Sequence, residues 1–191
     1  MATWQITDNE ELVVRTPIIE TPRLKLRAHR LEDLDAYNAM WGDSDVVRYI
    51  GGTPFNAHEV WQRFLRNRGH WVTMGYGYWV MEERATGRFL GELGFANFRR
   101  PWSPAVAESL FDVPEAGWVL APAAHGAGIA SEATAAIHDW ADTVHDWKRT
   151  FCCIAPGNGA SIRVAEKLGY VERFTTLLGG KDTLVFERAR G

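Results

Sequence analysis

A glycine-rich turn in the second half of the chain has the residue types needed to bind an anion. Residues from Glu115 to Leu120 have the pattern of a strand, which Pro122 and the small residues after it bring to an end. Gly126 and Gly128 then directly precede a segment whose apolar spacing predicts a helix. Glycines let backbone N–H groups approach an anion closely, and a helix N-terminus adds unpaired donors and a positive dipole end. The turn is therefore a candidate phosphate site.

Other interpretations of this turn have to be weighed. Two glycines at this position are equally typical of an ordinary helix start. A P-loop needs Gly-Lys-Ser/Thr, and the turn has no lysine. A Rossmann dinucleotide site needs an acid at the end of the next strand, about 20 residues on. Here that strand, predicted over 151–155, ends in Pro156-Gly157-Asn158. A diphosphate held by backbone donors is the functional interpretation that remains.

A second polar segment begins at Asn158 and leads into a helix predicted from Ser161 to Leu168, which Gly169 ends. The side chains of Asn158 and Ser161 can either cap this helix or face a ligand. An isolated Asn-x-x-Ser sequence is more typical of capping, so both roles stay open at this point.

The elements that position these segments predict an α/β fold with a mixed sheet. Strand patterns come first as a block and later alternate with helices, which argues against a doubly wound parallel sheet. A capping box at Asn56 and Glu59 starts one helix, which is expected to end near Gly69. Residues 99–114 hold three prolines and predict a long loop or broken strand that could serve a substrate. The other predicted strands are 18–27, 78–82, 89–98 and 183–187, the other predicted helices are 32–41 and 128–142, and 175–180 is a loop or strand.

Composition and charge exclude several classes of protein. A chain of 191 residues, 46% hydrophobic and 24% charged, fits one globular domain with a complete core. The net charge of -3 and the absence of a long Lys/Arg run argue against a nucleic-acid partner. No stretch reaches the roughly 20 apolar residues that span a bilayer, so we expect no membrane association and a cytoplasmic location. Cys152 and Cys153 are adjacent, point to opposite faces of a strand, and are expected to be free thiols in the core.

Taken together, the two segments resemble the GNAT acetyltransferase superfamily. The matching features are an acid and Gly-Trp on one strand, the glycine turn, a helix beginning near Ser131-Glu-Ala, and then Asn158-Gly-Ala-Ser161 with Lys167-Leu-Gly-Tyr170. The opening Ile19-Glu-Thr-Pro-Arg-Leu-Lys-Leu-Arg27 is similar to the RimJ/RimL-like branch. The resemblance implies one GNAT domain over 1–191, with 1–17 peripheral or poorly ordered. It also implies mostly antiparallel N-terminal strands and a parallel pair at the cofactor site, flanked by helices.

The resemblance assigns the residues that bind acetyl-CoA. His125 stands where the family has Gln or Arg, so its main chain is expected to matter more than its ring. The strand residues are expected to pair with the pantetheine arm, the turn residues to cradle the pyrophosphate, and Asn158 to contact the cofactor arm. The strand residues are Trp118, Val119 and Leu120, and the turn residues are His125, Gly126, Ala127, Gly128, Ile129, Ala130 and Ser131.

Two residues are candidate catalytic groups under the same resemblance. Glu115 matches the acid that begins this strand in relatives and is the candidate base, acting through water; its alternative role is a structural pair with an arginine. Ala165 occupies the position of the tyrosine that many members use to protonate the thiolate, and Ser161 matches the serine of RimL-like members. Glu92 and Glu108 are weaker candidates for the base.

The expected function is therefore transfer of acetyl from acetyl-CoA to a primary amine by direct attack, with no metal. A protein N-terminal α-amine is one acceptor, and a polyamine, an antibiotic or another small amine is the alternative. A small amine predicts a closed aromatic pocket, with Trp71 and Trp102 as candidate walls. A non-catalytic acyl-CoA-binding module also remains, because Ala165 replaces the tyrosine. A homodimer is possible.

Overall fold

The structure of the protein, a computed structural model, describes residues 16–190. Residues 1–15 of the segment expected to be peripheral lie outside the described residues. The described part of the chain contains one eight-stranded sheet with the order β1-β2-β3-β4-β5-β6-β8-β7. Its strands are β1 Ile19–Glu20, β2 Leu24–Arg27, β3 Tyr78–Glu83, β4 Phe89–Ala96, β5 Glu115–Leu120, β6 Arg149–Ile154, β7 Val171–Leu178 and β8 Lys181–Ala189.

The sheet is mixed, as predicted. Neighbouring strands run antiparallel except for β5 and β6, which form one parallel pair in the middle of the sheet. This arrangement confirms the predicted mixed α/β fold with an antiparallel N-terminal block. The strand predicted over 18–27 is interrupted at Thr21-Pro22-Arg23, where the chain turns between β1 and β2. The segment 175–180, left open as loop or strand, lies mostly in β7.

In the described range six α-helices accompany the sheet, and three of them differ from the prediction. The short helix α2, Ser44–Val47, was not predicted. The helix expected to end near Gly69 continues to Met74, where Gly75 at φ 71° terminates it. The segment 99–114, expected to be loop or broken strand, contains the helix α4, with Pro104 as its first residue. The helices are α1 Leu34–Trp41, α2 Ser44–Val47, α3 Ala57–Met74, α4 Pro104–Leu110, α5 Ile129–Val144 and α6 Gly159–Lys167.

Local sequence signals set the start of α3, the longest of these helices. The Asn56 side chain accepts hydrogen bonds from the backbone N–H groups of His58 and Glu59, and the Glu59 carboxylate accepts one from the Asn56 N–H. This reciprocal arrangement is the capping box that the sequence predicts.

Helices cover both faces of the sheet and leave a gap on one of them. α1, α2 and α3 pack on one face, and α5 and α6 pack on the other. α4 packs on Phe151 and Cys153 of β6, which point away from α5 because side chains alternate along a strand. Cys152 and Cys153 accordingly face opposite sides, and both are free thiols, as predicted. The gap between α3 and α4 lies over β5 and β6.

A buried polar group ties α5 to the sheet. Nδ1 of His138 is 2.7 Å from the Thr134 carbonyl oxygen, and Nε2 is 2.8 Å from the Tyr170 hydroxyl, which also contacts Thr150. A neutral imidazole satisfies this geometry by donating from Nδ1 and accepting at Nε2. Burial lowers the pKa of His138 from 6.5 to about 4, so the ring stays neutral in the folded state.

This burial predicts a loss of stability in acid. The pKa of His138 is lower in the folded state than in the unfolded chain. Stability that is fully present above the unfolded pKa is therefore lost as the pH falls from about 6.5 to 4, by up to about 3 kcal/mol. His138→Gln should flatten this part of the curve when the free energy of unfolding in urea is measured against pH. His58→Gln, at an exposed position of α3, is the control. An equal slope in both variants would contradict the prediction.

Candidate functional site

The two parallel strands at the centre of the sheet, β5 and β6, pair over only a short distance. β5 pairs with β4 along its whole length, from Glu115 to Leu120. On its other side β5 has a single registered pair with β6, Glu115 opposite Phe151. Beyond this pair the two strands diverge, so the β6-facing edge of β5 has no strand partner among the described residues. An open strand edge can accept an extended ligand by backbone hydrogen bonds.

The glycine turn follows at the end of this open edge. Gly126 and Gly128 have φ angles of 75° and 73°, a left-handed conformation that favours glycine, and α5 begins at the next residue. In the described structure, none of the six backbone N–H groups from Gly126 to Ser131 is donated to a protein acceptor. These donors, at the positive end of a 16-residue helix, fit a phosphate group.

A three-residue clamp holds the turn against the N-terminal strands. Nη1 of Arg23 donates to the Ala127 carbonyl at 2.8 Å, and Nε donates to the Glu132 carboxylate at 2.6 Å. The Thr21 hydroxyl donates to the same carboxylate at 2.5 Å. Burial raises the pKa of Glu132, but the hydrogen bonds from Thr21 and Arg23 outweigh burial and leave it below its usual value. Glu132 is therefore ionised and fixed, and Arg23 brings a positive charge beside the turn.

The ring of His125 is turned back toward the strand. Its Nε2 lies 3.0 Å from the Leu120 carbonyl oxygen, and the side chain is exposed. The backbone N–H of His125 also has a protein acceptor, the Pro122 carbonyl at 3.1 Å. Cosubstrate binding by the main chain of His125 stays a prediction.

A cavity of about 340 Å³ lies in the gap between α3 and α4, over the diverging strands. It brings together residues that the sequence placed in separate segments. From the predicted set it is lined by Glu115, Trp118, Val119, Asn158 and Ser161, together with the weaker candidate Glu92. Glu108 is exposed on α4 and does not line it. Trp71 does not line it either, because it is buried and donates to the Tyr78 carbonyl, and Trp102 packs beside α4.

The capping role that the sequence left open is present at Asn158, whereas contact of Asn158 and Ser161 with a ligand stays a prediction. The Asn158 side chain accepts from the Ser161 N–H at 3.2 Å and so caps α6, and both residues line the cavity. The indole N–H of Trp118 lies 3.3 Å from Ser161 Oγ and donates to it. Ala165, where the family resemblance implies a tyrosine, is completely buried in the core and does not line the cavity.

Glu115 is held by an arginine. Nε and Nη2 of Arg100 donate to its two carboxylate oxygens at 2.7 Å and 2.6 Å, and the Glu115 side chain is 7% exposed. Burial lowers the pKa of Arg100, and the carboxylate of Glu115 more than reverses this, so the guanidinium stays charged. The structure therefore contains the Glu–Arg pair that was the alternative role of Glu115. The role of Glu115 as a base remains a prediction.

Glu92 is surrounded by donors at the other side of the cavity. Its carboxylate lies 2.9 Å from His29 Nε2, 2.9 Å from the Tyr37 hydroxyl and 2.6 Å from the Asn67 amide nitrogen. The side chain is 1% exposed. A carboxylate with three donors is a rigid anchor for α1 and α3, with little freedom to move toward a substrate.

Several residues lining the cavity were not found by sequence reasoning. Tyr78 places its hydroxyl over Gly117, where an added Cβ would lie 2.1 Å from the oxygen. Arg63 and Arg66 come from α3, and Arg100 comes from the segment before α4. The spacing of Arg63 and Arg66 was the available signal, but on an amphipathic helix charged residues usually mark the solvent face.

Comparison with known proteins identifies the family. Residues 23–171 match the family described as an acetyltransferase (GNAT) domain. This chain belongs to the GNAT acetyltransferase family. The match confirms the predicted family and an N-acetyltransferase that uses acetyl-CoA. A curated relative, the uncharacterized protein YkkB of Bacillus subtilis, is 32% identical, and the match covers 88% of this chain and 93% of the relative.

Solved structures agree with this assignment. A putative GNAT-family acetyltransferase from Bordetella pertussis has a TM-score of 0.78 and 29% identity, with 91% of this chain and 100% of that chain covered. RimL, a ribosomal-protein alpha-N-acetyltransferase solved with coenzyme A, has a TM-score of 0.70 at 18% identity, with 91% and 98% covered. The RimL likeness is one of fold, and it is consistent with the predicted RimJ/RimL-like branch.

Two further observations concern metals and membranes. Between residues 16 and 190, no group of three or more His, Cys, Asp or Glu side chains is arranged to hold a metal ion. None of the helices described over the same range is long and apolar enough to cross a bilayer.

The turn gives a direct test of anion binding. Gly128→Asp puts a negative charge beside the unpaired N–H groups and should raise the acetyl-CoA dissociation constant at least about tenfold, equivalent to 1.4 kcal/mol. Gly128→Asn is the matched control, since asparagine tolerates positive φ and has nearly the same size without the charge. Isothermal titration of both variants measures the difference. If both variants and the unchanged protein have equal dissociation constants, the phosphate does not bind at this turn.

Proposed function

We propose that this protein transfers acetyl from acetyl-CoA to a primary amine by direct attack within a ternary complex in the cavity. The observation that carries the proposal is the open edge of β5, which has a turn of free N–H donors at one end and the cavity beside it. A long ligand with a diphosphate and an amide-containing arm would bind to both features at once, the diphosphate at the turn and the arm along the strand edge.

The residues fit acetyl-CoA in two places. The N–H groups from Gly126 to Ser131 are suited to the pyrophosphate, whereas the N–H of His125 already donates to the Pro122 carbonyl. The edge of β5 at Trp118–Leu120 is suited to the amides of the pantetheine arm. Asn158 at the start of α6 faces the same space. Acetyl-CoA supplies the acetyl group as a thioester, and a backbone N–H of β5 is the proposed donor that polarises its carbonyl.

The acceptor amine has to be neutral when it attacks. An α-amine has a pKa of about 8, so weak assistance is enough, whereas a lysine-like amine near 10.4 needs more. Glu115 is the proposed base, acting through water because both of its oxygens already accept hydrogen bonds from Arg100. The guanidinium fixes Glu115 at the start of the open edge.

The departing thiolate needs a hydrogen-bond donor. Ser161 accepts from Trp118, and its own hydroxyl hydrogen is therefore free to point into the cavity. Tyr78 is a second donor over the same strand, at Gly117. Burial and the charges of Glu115 and Glu92 raise the pKa of Tyr78, so its phenol stays protonated.

Two kinds of acceptor follow from the sequence. A protein N-terminal α-amine is supported by the fold likeness to RimL, whose described substrate is a ribosomal protein. A small amine is supported by the cavity of about 340 Å³ with aromatic walls at Trp41, Tyr78 and Phe98. A non-catalytic acyl-CoA-binding module is the alternative class of function, supported by Ala165.

One experiment separates enzyme from binding module. Acetyl-CoA is titrated calorimetrically, and release of free thiol is then followed over peptides and small amines. We expect binding together with amine-dependent thiol release. Binding with no release across both kinds of acceptor would favour the module, and no binding at all would overturn the proposal.

The role of Glu115 predicts a pH-dependent defect. Glu115→Gln should lower kcat/KM at least about tenfold near pH 6.5, where the amine is mostly protonated, and much less near pH 9. Glu108→Gln, exposed on α4, is the matched control and should leave the profile unchanged. If the Glu115→Gln defect is the same at every pH, the residue positions Arg100 and does not act as the base.

A further inference from the structure

The cavity carries more positive charge than its carboxylates neutralise. It is lined by three arginines and two glutamates. Both glutamates have partners, Glu115 in the pair with Arg100 and Glu92 in the cluster with His29, Tyr37 and Asn67. Arg63 and Arg66 form no salt bridge with any described carboxylate. The two guanidiniums on α3 therefore lie in a shared space without an anion.

Arg63 is held in place by aromatic rings and not by acceptors. Its guanidinium carbon lies 3.9 Å from the ring centroid of Trp41 and 4.7 Å from that of Phe55. Its Nε is buried and has no hydrogen-bond partner among the described atoms. Stacking on aromatic faces fixes the plane of the guanidinium and leaves its N–H edge available for an acceptor. A buried donor without a partner is costly, and within the described residues the fold itself supplies no acceptor that compensates Arg63 at Nε.

Arg66 stands one helical turn further along the same face. Residues three apart on a helix are neighbours, so its charge lies close to that of Arg63. Its guanidinium carbon is 4.7 Å from the ring of Phe98, at the open side of the cavity. Partial burial of its guanidinium lowers the pKa of Arg66, and the charge of Arg63 lowers it further. An anion between the two arginines would relieve this repulsion.

We propose that the acceptor is a small amine that carries a carboxylate, such as a free amino acid, and that Arg63 and Arg66 bind the carboxylate. This proposal rests on the acetyl transfer proposed above and specifies its acceptor. The planar N–H edges of guanidinium groups match carboxylate oxygens. The carboxylate would lie against α3 and the amine would point to the open edge of β5. A polyamine would instead bring like charges together.

The first test compares acceptors that differ only in the carboxylate. Thiol release is measured with amino acids, their amides and the corresponding decarboxylated amines, with spermidine and short peptides alongside. Loss of a charged hydrogen-bonded pair corresponds to roughly tenfold to 100-fold in affinity. We expect kcat/KM for the best amino acid to exceed that of its amide by such a factor. Equal or greater activity with amides, decarboxylated amines or spermidine would overturn the proposal.

The second test removes the guanidiniums one at a time. Arg66→Gln, which loses only a stacking contact in the fold, and Arg63→Gln should each raise KM for the amino acid by roughly tenfold or more. KM for the matched amide and the Kd for acetyl-CoA should stay unchanged. Arg63→Lys keeps the charge and tests whether the planar edge is needed. Arg173→Gln, half-exposed on β7 and outside the cavity, is the control.

The outcomes separate this proposal from the proposed function. If acetyl-CoA binds and every class of amine is acetylated equally, the transfer stands and the carboxylate subsite is wrong. If no amine is acetylated, calorimetric titration of the amino acids into the CoA complex still tests the subsite. Binding that Arg66→Gln weakens, while acetyl-CoA affinity is unchanged, supports it. A fall in acetyl-CoA affinity in the arginine variants would assign these residues to the cosubstrate and overturn the proposal.

Discussion

The divergence of β5 from β6 is the structural constraint on which the rest of the site depends. After the single pair between Glu115 and Phe151, β5 keeps its ladder to β4, and no other described strand pairs with its opposite edge. Backbone polar groups inside a protein need partners, so an open edge at the centre of a sheet calls for water or a ligand. The glycine turn, the start of α6 and the cavity are all arranged around this opening, and the helices on both faces hold it open.

The two ends of the site attract negative charge by different physical means. At the turn the donors are main-chain N–H groups and a helix dipole, whose strength does not change with pH. In the cavity the donors are guanidiniums, which are fully charged but need aromatic surfaces to hold their orientation. Buried carboxylates keep this second region from becoming more positive, because Glu115 neutralises Arg100. Backbone donors suit a ligand common to a whole family, whereas side-chain donors can differ between its members.

Sequence reasoning succeeded where the signal is local. The strand Glu115–Leu120, the glycine turn and the capping box at Asn56 all depend on residues within a few positions of one another. It failed at α4, where three prolines outweighed the fact that Pro104 suits the first turn of a helix. It also missed Arg63 and Arg66, because only tertiary packing brings Trp41 and Phe98 against them.

The clamp between Arg23 and Glu132 has a consequence for how the protein folds. The two residues are 109 positions apart, and closing such a long loop is slow compared with forming a helix or a hairpin. The turn between β5 and α5 is braced only after the first strands have joined the sheet. A folding chain therefore completes this clamp, and fixes the turn, later than its local helices and hairpins form.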